Sequence, residues 1–113
     1  MQDRTSQPVC ALIKLKPGAV ARTREWAAHI GANREQALQS MDAEGVTIES
    51  VFLHETDDEA FLVYYMRSAS IEHAQKIAKE STTAIEQYHR EFKRHAWQSV
   101  SRLELLVDIE REA

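Results

Sequence analysis

"VTIESVFLHETDDEAFLVYYM", Val46 to Met66, decides how this chain folds. Thr56, Asp57 and Asp58 supply turn chemistry in its middle. Ten residues before them, Val46 to Glu55, read as one strand, and Glu59 to Met66 as the next. Together they make a hairpin whose apolar residues do not keep to one side. Phe61, Val63 and Tyr65 point one way, and Leu62, Tyr64 and Met66 the other. On the first arm, Ile48 and Phe52 oppose Val51 and Leu53. A half-solvated strand alternates apolar with polar, so this hairpin needs cover on both faces.

Upstream, "PVCALIKLK", Pro8 to Lys16, reads as a strand with Val9, Ala11, Ile13 and Leu15 on one face. Pro17-Gly18 breaks it. One long helix is expected from about Ala19 to Glu44, with Val20, Trp26, Ala27, Ile30, Ala37, Leu38 and Met41 at helical spacing. Gly45 is placed to end it, because glycine takes positive φ without steric cost. Downstream, Ser68 or Ser70 can cap a short helix reaching about Glu80. Thr83 and Glu86 have capping-box spacing for another, ending near Trp97. Its apolar stripe is Ile85, Tyr88, Phe92 and Ala96. A last strand is expected from about Val100 to Ile109. Residues 1–7 read as a disordered tail and 8–110 as a single domain.

The order β-α-β-β-α-β, with right-handed crossovers, predicts an α+β, ferredoxin-like fold with a four-stranded antiparallel sheet and helices on one face. The second sheet face is then bare and apolar. A homodimer through that face is the simplest completion, since large exposed apolar patches mark interfaces.

On these residues the chain resembles the dimeric α+β barrel superfamily, which includes antibiotic-biosynthesis monooxygenases, muconolactone isomerase-like proteins and stress-responsive barrel proteins. "VFLHETDDEAFLVYYM" and "AIEQYHREFKRHAWQS" are similar to segments of a bacterial family of unknown function with this fold. The resemblance spans roughly Val9 to Glu110. It implies the fold and a paired assembly; the superfamily's activities are too varied to imply a reaction.

Composition narrows the classes. The 113 residues are 43% hydrophobic, enough for one packed core, with a net charge of −4. No basic stripe points to nucleic acid or to an anionic membrane surface, so neither partner is expected. Cys10 is the only cysteine, which excludes an intrachain disulfide and fits a reducing compartment. "MQDRTSQ" lacks the apolar core of a secretory signal. A cytoplasmic protein is expected. No HExxH, Gly-rich phosphate loop or cysteine pair occurs, so neither metal nor cofactor is expected.

Candidate site residues are polar groups set on or beside apolar faces. Arg34 falls within the long helix's apolar stripe, where an always-charged guanidinium needs acceptors or water. It either pairs with Glu49, Glu104 or Asp108, or lines a cleft that holds a small acidic or aromatic ligand, with Gly31 leaving room. His89 and His95 border the stripe of the last helix. His95 has Glu91 four residues earlier as a partner; His89 has none and is the candidate for catalysis. His54, Trp26 and Tyr88 complete a ligand-binding set with Arg34 and His89. His29 and His73 read as solvated. The function expected is a small-molecule binding module. The alternatives are a cofactor-independent monooxygenase or isomerase-like enzyme, in which Asn33 could contribute beside Trp26 and His89, and an interaction protein without a pocket.

Overall fold

A computed structural model describes residues 6–111. Residues 1–5 of the expected tail and the last two of the chain lie outside them. Eight elements follow in order: β1 (Gln7–Leu15), α1 (Val20–Ala32), α2 (Arg34–Glu44), β2 (Val46–Glu55), β3 (Ala60–Ser68), α3 (Ile71–Glu80), α4 (Ala84–Ala96) and β4 (Trp97–Arg102). The four strands form one antiparallel sheet in the order β2-β3-β1-β4. This is the expected ferredoxin-like arrangement.

The hairpin register carries the two-sided pattern across the sheet. Val51 faces Tyr64, and Leu53 and Ile13 flank Leu62. These side chains lie under the helices, where Ile13, Leu62, Phe92 and Ala96 are almost fully buried. One residue along, Phe52, Val63 and Leu12 form a row on the opposite face. No helix of this chain covers that row, and Phe52 is 62% exposed.

The helices stand on identifiable caps. Ser70 Oγ accepts from the His73 N–H at 3.2 Å, and Thr83 Oγ1 from the Glu86 N–H at 3.4 Å. Gly45 closes α2 with φ 74°, in the left-handed region that glycine enters freely. Thr23, a polar residue in the α1 stripe, is buried because its hydroxyl donates to the Ala19 carbonyl at 2.9 Å.

Two boundaries differ from expectation. The long helix is two helices, broken at Asn33, whose backbone leaves helical geometry at φ −117°, ψ 43°. Its side-chain amide donates to the His29 carbonyl, four residues back, at 2.8 Å. That bond offers the chain an alternative to the helical ladder. The last strand begins at Trp97 and ends at Arg102, well short of Ile109. Leu103 N–H still reaches the Cys10 carbonyl at 2.8 Å. Residues two apart in a strand point their backbone groups to the same side, so the next group on β1 toward β4 belongs to Pro8. Proline has no N–H to give, and the ladder stops.

Beyond Arg102 the chain continues as an extended arm. Leu103, Leu105, Leu106, Val107 and Ile109 are all exposed, Ile109 by 86%. One polar clasp ties the arm down: Arg67 Nη1 and Nη2 donate to the Asp108 carboxylate at 3.2 and 2.6 Å. Tyr65 Oη accepts from the same guanidinium at 2.8 Å.

Candidate functional site

The helix layer does not close fully on the sheet. A cleft of about 770 Å³ remains between them, lined mostly by apolar side chains such as Ala11, Ile30, Met41 and Met66. Volumes of this size suit small organic ligands. The break at Asn33 helps to shape it, because α2 sets off afresh with Arg34 at its first position and Met41 and Glu44 further along the same wall.

His89 sits on the wall formed by α4. The positions that turn toward the core on this helix are 85, 89, 92 and 96, so His89 occupies a core-stripe position and Tyr88 is displaced to its margin. Trp26 of α1 stacks on Phe92, with centroids 4.7 Å apart and planes 8° from parallel. Its indole Nε1–H donates to His89 Nδ1 at 3.1 Å. Burial, reinforced by the charges of Lys93 and Arg90, brings the His89 pKa down to about 3. The ring is therefore neutral at physiological pH. Indole nitrogen can only donate, so Nδ1 holds the lone pair and Nε2 the proton. Nε2 meets no protein partner among the described residues, yet it is not sealed from solvent.

Beside His89 lies a group of ionisable side chains from four elements. Glu44, at the end of α2, and Glu86, in the first turn of α4, are both buried on the wall of the cleft. Burial pushes the Glu44 carboxyl well above the ordinary carboxylate range, and Glu86 nearby adds to the rise. Tyr64 of β3 donates its hydroxyl to Glu49 of β2. Burial raises Glu49 too, against the lowering effect of that hydrogen bond. Lys93 of α4 is lowered by burial, with Glu86 opposing the shift. Its ammonium stands 5.2 Å from the centre of the Trp97 ring. All of these residues line the cleft.

The five ligand-binding candidates separate into two groups. Trp26, Arg34 and His89 line the cleft together. Arg34 is exposed and makes no hydrogen bond or ion pair among the described residues. Two of the acids that could have closed it are engaged elsewhere, Asp108 by Arg67 and Glu49 by Tyr64. Tyr88 lies outside this cleft and lines a second cavity of about 440 Å³ on the α2–α4 side. It stacks on His29 at 3.8 Å and accepts from Arg22 Nη1 at 3.1 Å. His29 is thus half-buried against an aromatic ring rather than solvated. His54 is exposed on the bare sheet face, tilted against Phe61. His73 is exposed, and His95 pairs with Glu91 at 2.8 Å, the partner its spacing indicates. Gly31 borders the cleft with nothing within 4 Å of where a Cβ would stand.

The carboxyl pair, the Tyr64–Glu49 contact and Lys93 were not among the sequence candidates. Glu86 carried a visible signal, its spacing from Thr83, but that spacing spoke for a cap. The cap is made by the Glu86 backbone N–H, and its carboxylate turns inward. Among the described residues, no three His, Cys, Asp or Glu side chains are grouped to hold a metal ion. No helix among them is long and apolar enough to cross a membrane.

Solved structures with this architecture are distant in sequence. A Nitrosomonas europaea protein proposed to be an antibiotic biosynthesis monooxygenase is similar with a TM-score of 0.57 and 14% identity, over 91% of this chain and 90% of that one. A Pseudomonas aeruginosa protein gives 0.57 and 17%, over 95% and 100%. A protein of unknown function from Bacteroides thetaiotaomicron, suggested to be an oxidoreductase, gives 0.54 and 15%, over 91% and 100%. At these identities the likeness is one of fold. No curated protein matches the chain. A family model does match, over residues 6–113, and the chain belongs to that family, a family of unknown function (DUF6176).

Proposed function

We propose that this protein is a homodimeric small-molecule binding module whose ligand enters the cleft between helices and sheet. One observation carries the reading: two donors with no partner among the described residues, the Arg34 guanidinium and His89 Nε2–H, line one open and mostly apolar space. An apolar cleft with a few convergent polar groups is the usual form of a ligand site. The chemistry fits a small aromatic acid, its ring against the apolar wall and its carboxylate at Arg34. A pocketless interaction protein would close Arg34 with a carboxylate and fill the space with side chains.

The bare sheet face and the exposed arm support the paired assembly. Phe52, Ile48 and the aliphatic residues of the arm are apolar and uncovered by their own chain, and a second copy carries the same surface to meet them. Half-buried Cys10, unpaired on that face, suits the cytoplasm.

The test is titration of 2-naphthoate into isotope-labelled protein, followed by NMR. The Trp26 indole N–H and the His89 ring signals are expected to move. Arg34→Ala should weaken binding about tenfold, or about 1.4 kcal/mol. Folding stability should change by less than about 0.5 kcal/mol, as for an exposed surface residue. A large fall in stability with unchanged naphthoate affinity would sink the reading.

A further inference from the structure

Lys93 differs from the other lysines of the chain. Lys14 pairs with Glu59 at 2.6 Å, and Lys16 donates to the Arg94 carbonyl at 3.0 Å. Lys76 and Lys79 are exposed. Lys93 is half-buried on the wall of the cleft. It makes no hydrogen bond or ion pair among the described residues, yet its Nζ is not sealed from solvent. The group it does meet is the Trp97 ring, whose centre lies 5.2 Å from Nζ. A lysine held in apolar surroundings with its amine free and reachable is placed to act as a nucleophile.

An amine must shed its proton before it can attack a carbonyl. Burial favours that loss, because it strips water from the ammonium. Arg90, three residues earlier on α4, works in the same direction, and its guanidinium is fixed there by the carbonyls of Ala78 and Ser81 at 2.7 and 2.8 Å. Glu86 of α4, Glu44 of α2 and Glu49 of β2 oppose the effect without overcoming it. None of the three stands within ion-pair distance of Nζ, and Glu49 accepts from Tyr64 of β3 instead. One turn before Lys93 comes His89. Positions four apart stack on one side of a helix, about 5–6 Å apart at Cβ. The Trp26 N–H occupies Nδ1, so His89 offers the cleft a donor, Nε2–H, beside the amine.

From this arrangement we infer that the cleft captures a small, mostly apolar aldehyde as a reversible imine on Lys93, with His89 Nε2–H donating to the carbonyl oxygen. The lone pair of Nζ forms a bond to the carbonyl carbon, and the C=O π pair moves onto oxygen, where His89 meets the growing charge. One proton of the amine passes to that oxygen through solvent and gives the carbinolamine. The nitrogen lone pair then forms the C=N bond and the C–O bond breaks. The second amine proton leaves with the oxygen, so one water is released for each imine made. No oxidant or reductant enters. While the imine is protonated it carries a positive charge, and the Trp97 ring face that meets the ammonium suits that charge as well. The inference rests on the cleft being a small-molecule site and adds a covalent anchor to it.

The probe is 2-naphthaldehyde at pH 7 with cyanoborohydride added to trap the imine, and peptide mass spectrometry reads which lysine is modified and how fast. Lys93 is expected to react at least about tenfold faster than exposed Lys76 and Lys79, since it is more often uncharged. Excess 2-naphthoate should slow that reaction. Lys93→Arg keeps a cation over Trp97 and should lose the fast adduct while circular dichroism shows the native fold. His89→Phe should slow trapping about tenfold; an unchanged rate would remove the donor from the account. Lys93 reacting no faster than the exposed lysines overturns the imine, and naphthoate binding seen by NMR then leaves the ligand site standing. Fast trapping at Lys93 without any naphthoate binding does the reverse: it keeps the imine and removes the aromatic-acid reading. Fast trapping that bound naphthoate fails to slow would place the reaction outside the ligand site and overturn the inference.

Discussion

The two faces of the sheet are built from the same kinds of residue and have opposite fates. Under the helices, Ile13, Leu62 and Phe92 are sealed. Of the polar groups buried among them, the Thr23 hydroxyl is received by a carbonyl, while Ser68 Oγ and Trp97 Nε1 meet no partner among the described residues. On the other face, Leu12, Val63 and Phe52 make an equally apolar row with no helix over it. Apolar surface is worth roughly 25 cal/mol per Å² once removed from water, whichever body removes it. The difference teaches that this chain closes one core and leaves a second apolar face uncovered.

Two phenylalanines give the largest contrast. Phe92→Ala removes a fully buried ring that stacks on Trp26, and chemical denaturation should show a loss of about 3–5 kcal/mol. Phe52→Ala, on the bare face, should cost a dilute protomer less than about 1 kcal/mol. If the two substitutions cost the same at high dilution, the faces are not different in kind.

Much of this contrast was legible from residues 46–66, because side chains in a strand alternate and both alternating sets were apolar. The element order followed from glycine and proline positions and from the Ser70 and Thr83 caps. What escaped depended on contacts between distant parts of the chain. Pro8 ends β4 only once register sets it opposite the arm. Asn33 breaks the long helix through a side-chain bond that competes with helical spacing. Glu44 and Glu86 stand forty-two positions apart, and nothing local announces that both are buried on the wall of one cleft. Tyr88 and His89 were both visible candidates, but a small rotation of α4 decides which faces the cleft.

Acid and alkali sharpen the comparison on its covered side. His89 stays unprotonated to about pH 3, against 6.5 for a free histidine. Between those values only the unfolded chain takes the proton, so stability should fall as pH drops below 6.5, with a slope approaching about 1.4 kcal/mol per pH unit. Glu44 acts in the opposite sense. Its carboxyl keeps a proton above the ordinary 4.5 when folded, so stability should also decline as pH rises through the range where only the folded state holds that proton. Urea denaturation across this range should therefore trace a dome. His89→Phe should flatten its acid limb and Glu44→Gln its alkaline limb. A wild-type profile flat from pH 4 to 8 would contradict both assignments.

The smallest expected effect lies at the cleft's edge. Gly31→Ala places a methyl group in open space within a helix. The gain in helix propensity should raise stability by about 0.5–1 kcal/mol, seen as a higher melting temperature. A loss would mean that the space at Gly31 is not open.

The central claim is that the bare face is covered by a second copy, and sedimentation velocity at micromolar concentration tests it most directly. The expected result is a particle of twice the chain mass, reduced to a single folded chain by Phe52→Glu. A wild-type protein that sediments as one well-folded protomer at that concentration would contradict it.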